Sequence, residues 1–226
     1  MPSFRDHLET LEADGKLERV KTPVDPAWEL PSMARWLFHG FDDADRFALM
    51  FEDVEGADIP VVAAALGASR SVYAQSLGVE PDEIRDFWWS ALDNFQTPRT
   101  VSDAPVQEQV SVGADVALGE LPVPTWTPGK DAGPYLTAVV VTKNRETGVQ
   151  NMAVYRCQVV DDDTIALNMS PRRHGHRDYQ SFAEAGESAP VAIVIGAAPA
   201  VYYSSITNVD YEVDERELRL KLLAAA

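Results

Sequence analysis

The sequence holds a single cysteine, Cys157, so no internal disulfide can staple the chain. Basic charge is also scarce: nineteen Lys and Arg stand against thirty-six Asp and Glu, a net charge of −17. A field of that sign opposes phosphate polymers and anionic lipid, so neither nucleic acid nor a membrane surface is an expected partner. Long apolar runs are missing too. The longest mostly apolar stretch, residues 191–205, falls short of the roughly 20 residues that span a bilayer. No basic opening leads into an apolar stretch of the kind that directs export, and a cytoplasmic location is expected. Walker loops, Rossmann glycine fingerprints and Gly-x-Ser-x-Gly elbows are absent, which removes the commonest nucleotide and hydrolase signatures.

What is present is enough apolar material for a core, 46% of 226 residues. Ser3 stands three residues before Asp6, and Phe4, Leu8 and Leu11 recur at helical spacing until Gly15, which predicts a capped first helix. Leu30, Ala34, Leu37 and Phe38 mark a second helix over 25–39, with Pro26 and Pro31 confined to its first turns. Residues 46–54 and 59–66 read as strands, and 81–92 as a helix. Beyond Thr97 the texture changes to proline-punctuated chain, and a domain boundary is placed near Thr100. Residues 136–143, 150–160 and 164–169 are β-rich and joined by turn-forming residues, which predicts a three-strand antiparallel meander. A helix over 175–186, a buried strand over 190–196 and a terminal helix over 214–224 complete the reading. The fold class is therefore α+β: an α/β domain over 1–100 and a β-rich domain over 101–226.

Four local patterns could carry chemistry. The run Leu121-Pro-Val-Pro-Thr-Trp-Thr-Pro-Gly-Lys-Asp-Ala-Gly-Pro-Tyr135 cannot be a regular element, and a loop of that length is either functional or disordered. Asn151 and Arg156 place an amide and a guanidinium on one strand. The guanidinium suits a carboxylate, either an internal one or a substrate's. Five residues separate the pair, which puts them on opposite faces of a flat strand, so a bulge or bend is expected if both serve one site. Ser170-Pro-Arg-Arg-His-Gly-His-Arg-Asp178 is the one dense basic cluster, either a solvated loop or a local nest for a phosphate. Asp214-Glu-Arg-Glu217 is either an ordinary charged helix start or the source of a functional Glu.

Together these segments resemble the UbiD decarboxylase family. Residues 4–24 are similar to its opening helix and the following Gly-Lys-Leu-x-Arg-Val, residues 49–60 to its Leu-x-Phe-x-x-Val-x-Gly-x-x-x-Pro, and the Pro-rich run and Asn151-Met-Ala-Val-Tyr-Arg156 to its cofactor region. The resemblance implies a split β-barrel flavin-binding domain, here incomplete. It implies prenylated FMN as cofactor, delivered by a flavin prenyltransferase. It also implies reversible decarboxylation of an aromatic or α,β-unsaturated acid, with the cofactor as electron sink. By the same resemblance Asn151, His174 and Glu215 bind Mn²⁺ or Mg²⁺ that bridges the cofactor phosphate. Val154, Tyr155, Arg156, Asn168, Met169, Ser170, Arg173 and His174 contact the flavin, and Arg156 orients the substrate carboxylate. Ser204 and Ser205 resemble a stretch that offers oxygens to a monovalent cation such as K⁺ in some members.

Two departures qualify the match. Arg172 stands where many members carry another His. Residues 217–226 do not continue as the family does, and no acidic pair matching its proton donors follows. The alternative reading is a catalytically incomplete cofactor-binding or assembly subunit that a second chain completes; a homo-oligomer is the other expected assembly. A flavin reductase on a similar barrel is a further rival, disfavoured by the Asn151, His174, Glu215 set.

Overall fold

The computed structural model describes residues 3–92, 100–102 and 104–211. Its first helix, α1 (Phe4–Ala13), starts at Ser3, whose hydroxyl accepts from the Asp6 amide while the Asp6 carboxylate accepts from the Ser3 amide. This reciprocal cap satisfies two of the donors every helix start exposes. Strand β1 (Leu17–Val20) follows, then α2 (Glu29–Gly40), β2 (Ala48–Phe51) and β3 (Val61–Ala63). The helices α3 (Arg70–Leu77) and α4 (Ile84–Leu92) complete this half. The three strands form one sheet in the order β1-β2-β3, parallel then antiparallel. Leu11, Leu37 and Val72 close one side of its core, and Leu30, Leu49 and Phe51 the other.

The second half is built on β4 (Tyr135–Lys143), β5 (Gln150–Asp161), β6 (Thr164–Asn168) and β7 (Ala192–Val194), with α5 (His174–Ala183) and α6 (Pro199–Ile206) packed against them. The sheet runs β6-β5-β4-β7, antiparallel throughout, so the predicted meander is present. Neither sheet closes on itself among the described residues. The predicted strand over 190–196 forms as β7, but at the sheet edge: Val191 and Ile195 are exposed, so its β-branched run is not a buried central strand. Strand β1, α3 and α6 were not anticipated, and the helix expected over 214–224 lies outside the described residues. No helix among the described residues is long and apolar enough to cross a membrane.

The Pro-rich run is packed against the rest of the fold. Trp126 joins the β2–β3 side of the N-terminal core and its indole donates to the Tyr135 carbonyl at 3.1 Å. The Thr125 amide donates to the Pro26 carbonyl at 3.3 Å. Helix α6 is held similarly. Tyr203 is buried against Tyr73 and Trp88, its hydroxyl donates to the Leu66 carbonyl at 2.7 Å, and it also meets Ser76. Burial raises the Tyr203 phenol well above its ordinary value, so it remains a donor.

Two predictions follow from this packing. Tyr203→Phe strands the Leu66 carbonyl and should cost about 1–3 kcal/mol in urea unfolding, the penalty of a buried unpaired polar group; an unchanged midpoint would show that α6 is not anchored there. His7 is buried with Nε2 at 2.8 Å from the Ala65 carbonyl. Burial pushes its imidazole below the ordinary value, partly offset by that hydrogen bond. A depressed folded value means the stability is present above the unfolded value of about 6.5 and lost as pH falls through the folded one. The urea midpoint should therefore fall between pH 7.5 and 5.5, and His7→Gln should flatten that slope.

Candidate functional site

The ladder between β4 and β5 runs from Lys143↔Gln150 to Tyr135↔Gln158, whereas β6 joins β5 only from Arg156 onward. Upstream of that point the second edge of β5 borders a cavity of about 640 Å³, lined by every residue from Asn151 to Arg156. A strand presents alternate residues to one face, so six consecutive lining residues mean that the cavity lies along an edge. Asn151 and Arg156 thereby reach one cavity from opposite faces. The only register shift of β5 lies beyond them, between Val159 and Asp161, so the bulge expected from their spacing is not required.

Two helix ends complete the wall. On one side the chain leaves β6 through Asn168 and Ser170, and Arg172, Arg173 and His174 bring the start of α5 to the cavity. Arg173 is the N-cap, no side chain among the described residues caps the helix, and no acidic residue lies in its first turn. Gly175 is what lets this turn sit so close to β5: a Cβ there would lie 2.9 Å from the Tyr155 hydroxyl and 3.2 Å from the Met169 sulfur. The opposite wall is the C-terminal end of α6, through Ser205, Ile206, Thr207 and Asn208. A helix start favours an anion and a helix end a cation.

The predicted residues thus mostly converge. Asn151, Val154, Tyr155, Arg156, Asn168, Ser170, Arg173, His174 and Ser205 all line the cavity. Met169 instead packs behind β5 in the core with Cys157 and Leu167, and Ser204 is buried, its hydroxyl donating to the Ala200 carbonyl at 2.8 Å. Glu215 lies outside the described residues. Among the described residues no three His, Cys, Asp or Glu side chains cluster as a metal centre.

The polar groups have defined surroundings. Asn151 is 6% exposed and its Nδ2 donates to Thr142 Oγ1 at 3.1 Å. Burial, then the Arg177 charge, lowers the His174 imidazole, with Asp178 pulling the other way. A neutral imidazole is the form that ligates a metal. Arg156 lies 3.9 Å from Asp131 and 4.8 Å over the Tyr135 ring, and its side chain stays 62% exposed. Among the described residues the internal-partner reading of Arg156 is therefore met only by a long, single contact, which leaves most of the guanidinium fork unengaged by them. Tyr135 also borders a second, apolar cavity of about 520 Å³ between the Pro-rich run, β3 and α6.

Arg172, Thr207 and Asn208 were not anticipated at the cavity, nor was the buried Asp178 behind it. Arg172 had a signal in the dense basic cluster. The other two follow α6, a helix the sequence pattern did not mark.

This arrangement has close counterparts. Residues 8–90 match the family model described as the 3-octaprenyl-4-hydroxybenzoate carboxy-lyase N-terminal domain. Residues 99–222 match that of the Rift-related domain of the same carboxy-lyase. The chain belongs to the UbiD family. It is similar to the UbiD-class enzyme HmfF from Pelotomaculum thermopropionicum in complex with FMN, at 32% identity and a TM-score of 0.88 over 99% of this chain and 49% of that one. An evolved dimeric form of HmfF in complex with prFMN matches at 32% identity and a TM-score of 0.88, over 98% and 50%. Sedimentibacter hydroxybenzoicus vanillic acid decarboxylase in its closed form matches at 28% identity and a TM-score of 0.87, over 96% and 48%. The chain spans about half the length of these structures.

Cys157 follows Arg156 but is fully buried on the opposite face, among Ala138, Val140 and Tyr155. Cys157→Ser should leave FMN affinity within twofold of the parent in a fluorescence titration. A large loss with unchanged circular dichroism would mean that Cys157 itself sets the position of its neighbour Tyr155 at the cavity.

Proposed function

We propose that this chain is the cofactor-binding half of a UbiD-type decarboxylase acting on an aromatic or α,β-unsaturated carboxylic acid. The observation that carries the reading is the convergence of the β5 edge, the uncapped α5 start and the α6 end on one cavity. Prenylated FMN fits it. Its phosphate is assigned to the α5 start, where backbone amides, Arg172 and Arg173 supply positive potential that the net charge would otherwise deny. Gly175 keeps that cradle open at the point where a Cβ would press on Tyr155. A divalent metal, Mn²⁺ or Mg²⁺, is assigned to Asn151 and His174, with Glu215 as the third ligand. Amide oxygen, imidazole and carboxylate without thiolate suit such hard ions. Ser205, at the α6 end, is placed to offer oxygen to K⁺.

When bound, the prenylated flavin supplies the electron sink for loss of CO₂. The chain's own residues do the rest of the work assigned here. Arg156 holds the substrate carboxylate with its planar fork, and the adjacent apolar cavity at Tyr135 receives the unsaturated or aromatic body. Asp131, with one oxygen tied to the Thr127 amide at 2.6 Å, steadies Arg156 from below. The proton returned to carbon is assigned to an acid in the portion of the UbiD-class enzymes that this chain does not span, supplied in the same polypeptide or by a second one.

The same reading makes residues 1–100 an α/β domain and 101–226 a flavin domain whose open four-stranded sheet is part of a split barrel. It places the enzyme in the cytoplasm as a homo-oligomer, with a flavin prenyltransferase delivering its cofactor.

The test is ligand-dependent thermal stability. FMN at about 100 times its dissociation constant should add about 2.7 kcal/mol. That corresponds to roughly 5–10 °C in Tm for a chain of this size. Mn²⁺ should add a further increment only when FMN is present, and Arg173→Ala should abolish both. An Mn²⁺ response without FMN, or full FMN stabilisation of Arg173→Ala, would remove the phosphate from the α5 start.

A further inference from the structure

Behind the cavity lies a carboxylate that the reading above does not use. Asp178, on α5, is 1% exposed. Its Oδ2 accepts from Thr142 Oγ1 at 2.5 Å and its Oδ1 from the Tyr211 hydroxyl at 2.8 Å. Thr142 in turn accepts from Asn151 Nδ2 at 3.1 Å, and Tyr211 accepts from Asn144 Nδ2 at 2.9 Å.

The direction of every bond in this relay is set by chemistry. A carboxylate only accepts, and a hydroxyl has one proton to give. Thr142 and Tyr211 must spend theirs on Asp178, so each offers only lone pairs on its far side. The far-side partner must then be a donor, which for an asparagine is its NH₂ group. Asn144 shows the same polarity independently: its Oδ1 is already occupied by the Glu146 and Thr147 amides, both at 2.9 Å, so only its NH₂ can face Tyr211. Among the described residues Asn151 carries no such second lock, and either end of its amide would fit the space.

We propose that Asp178 is a positioning residue that fixes the Asn151 amide with its NH₂ toward Thr142 and its oxygen toward the cavity. This rests on the assignment of Asn151 as a metal ligand. An amide oxygen can ligate a cation, whereas an NH₂ group in the same place would repel it. The same carboxylate steadies the second candidate ligand, because the Tyr211 ring it holds is the ring against which His174 packs edge-on, at 5.1 Å between centroids. One buried acid therefore orients both described members of the metal set.

The decisive variant is Asp178→Asn, which keeps the shape but adds a donor. An NH₂ facing Thr142 turns that hydroxyl round, and the Asn151 amide turns with it. Thr142→Val breaks the relay at constant volume, Thr142→Ser preserves it, and this pair decides the matter if Asp178→Asn fails to fold. The first readout is the Asn151 side-chain ¹H–¹⁵N signal of asparagine-labelled protein, assigned by its loss in Asn151→Ala. It should be protected from solvent exchange in the parent and in Thr142→Ser, and should exchange at least tenfold faster in Asp178→Asn and Thr142→Val. An unchanged signal in those two variants overturns the relay. The second readout is Mn²⁺ affinity in the presence of FMN, followed by the electron paramagnetic resonance of free Mn²⁺. Both relay-breaking variants should bind at least tenfold more weakly, with Thr142→Ser near the parent. Parent-like Mn²⁺ affinity in Asp178→Asn, alongside lost affinity in Asn151→Ala, would overturn control by Asp178 while keeping the site. If Asn151→Ala itself leaves Mn²⁺ binding intact, the ligand assignment has failed instead, and the amide signal alone decides whether Asp178 orients Asn151.

Discussion

A strand offers two hydrogen-bonding edges, and the site exists because β5 lends only one of them to β4 along its whole first half. Strand β6 joins the other edge only from Arg156, and the chain then turns away through Ser170 to start α5. The edge from Asn151 to Arg156 is left to border a cavity instead of a ladder. Backbone amides and carbonyls are strong, obligatory hydrogen-bonding groups. A flat polar ligand laid along such an edge meets donors and acceptors at fixed spacing, together with side chains from both faces of the sheet.

Charge follows from the same geometry. A chain of net charge −17 has no general attraction for a phosphate. The attraction is local, made by a helix start without acidic residues in its first turn and by the arginines that precede it. The acidic excess elsewhere in the chain favours cations over anions. The start of α5 and the end of α6 meet the cavity from opposite walls with opposite helix polarities, the first suited to an anion and the second to a cation.

The parts of the fold legible in the sequence were those with a repeating signal. The capping pair Ser3 and Asp6, the helical stripe of α2 and the turns between β4, β5 and β6 all encode local geometry. Helix α3 was missed because its apolar residues, Val72, Ala74 and Leu77, make a short and weak stripe. Helix α6 was missed for the opposite reason. Its sequence, Pro-Ala-Val-Tyr-Tyr-Ser-Ser-Ile, is largely apolar on every side because it is clasped between β5 and the N-terminal helices, so it carries no periodicity to detect. Likewise β7 looked buried from its β-branched residues, but a strand's place in a sheet depends on partners distant in sequence. Candidate site residues were legible as residue types, and family resemblance gathered them. What spacing could not show was that Asn151 and Arg156 meet at an edge, since alternation is defined for faces.

The network behind the cavity shows a limit of another kind. Thr142 on a β-strand and Asp178 in a helix are each unremarkable in sequence, and each is usually solvated. Only the fold reveals that α5 lays Asp178 against the face of β4 that carries Thr142, opposite Asn151 in the register. A buried carboxylate is costly unless its lone pairs are satisfied, so two hydroxyl donors are the least this site needs. That requirement propagates outward: satisfying Asp178 uses up the protons of Thr142 and Tyr211 and dictates what may sit beyond them. Stability and site polarity are therefore set by the same hydrogen bonds, and a substitution that preserves the shape of Asp178 while changing its donor count can leave the fold standing and still reverse the group offered to the cavity.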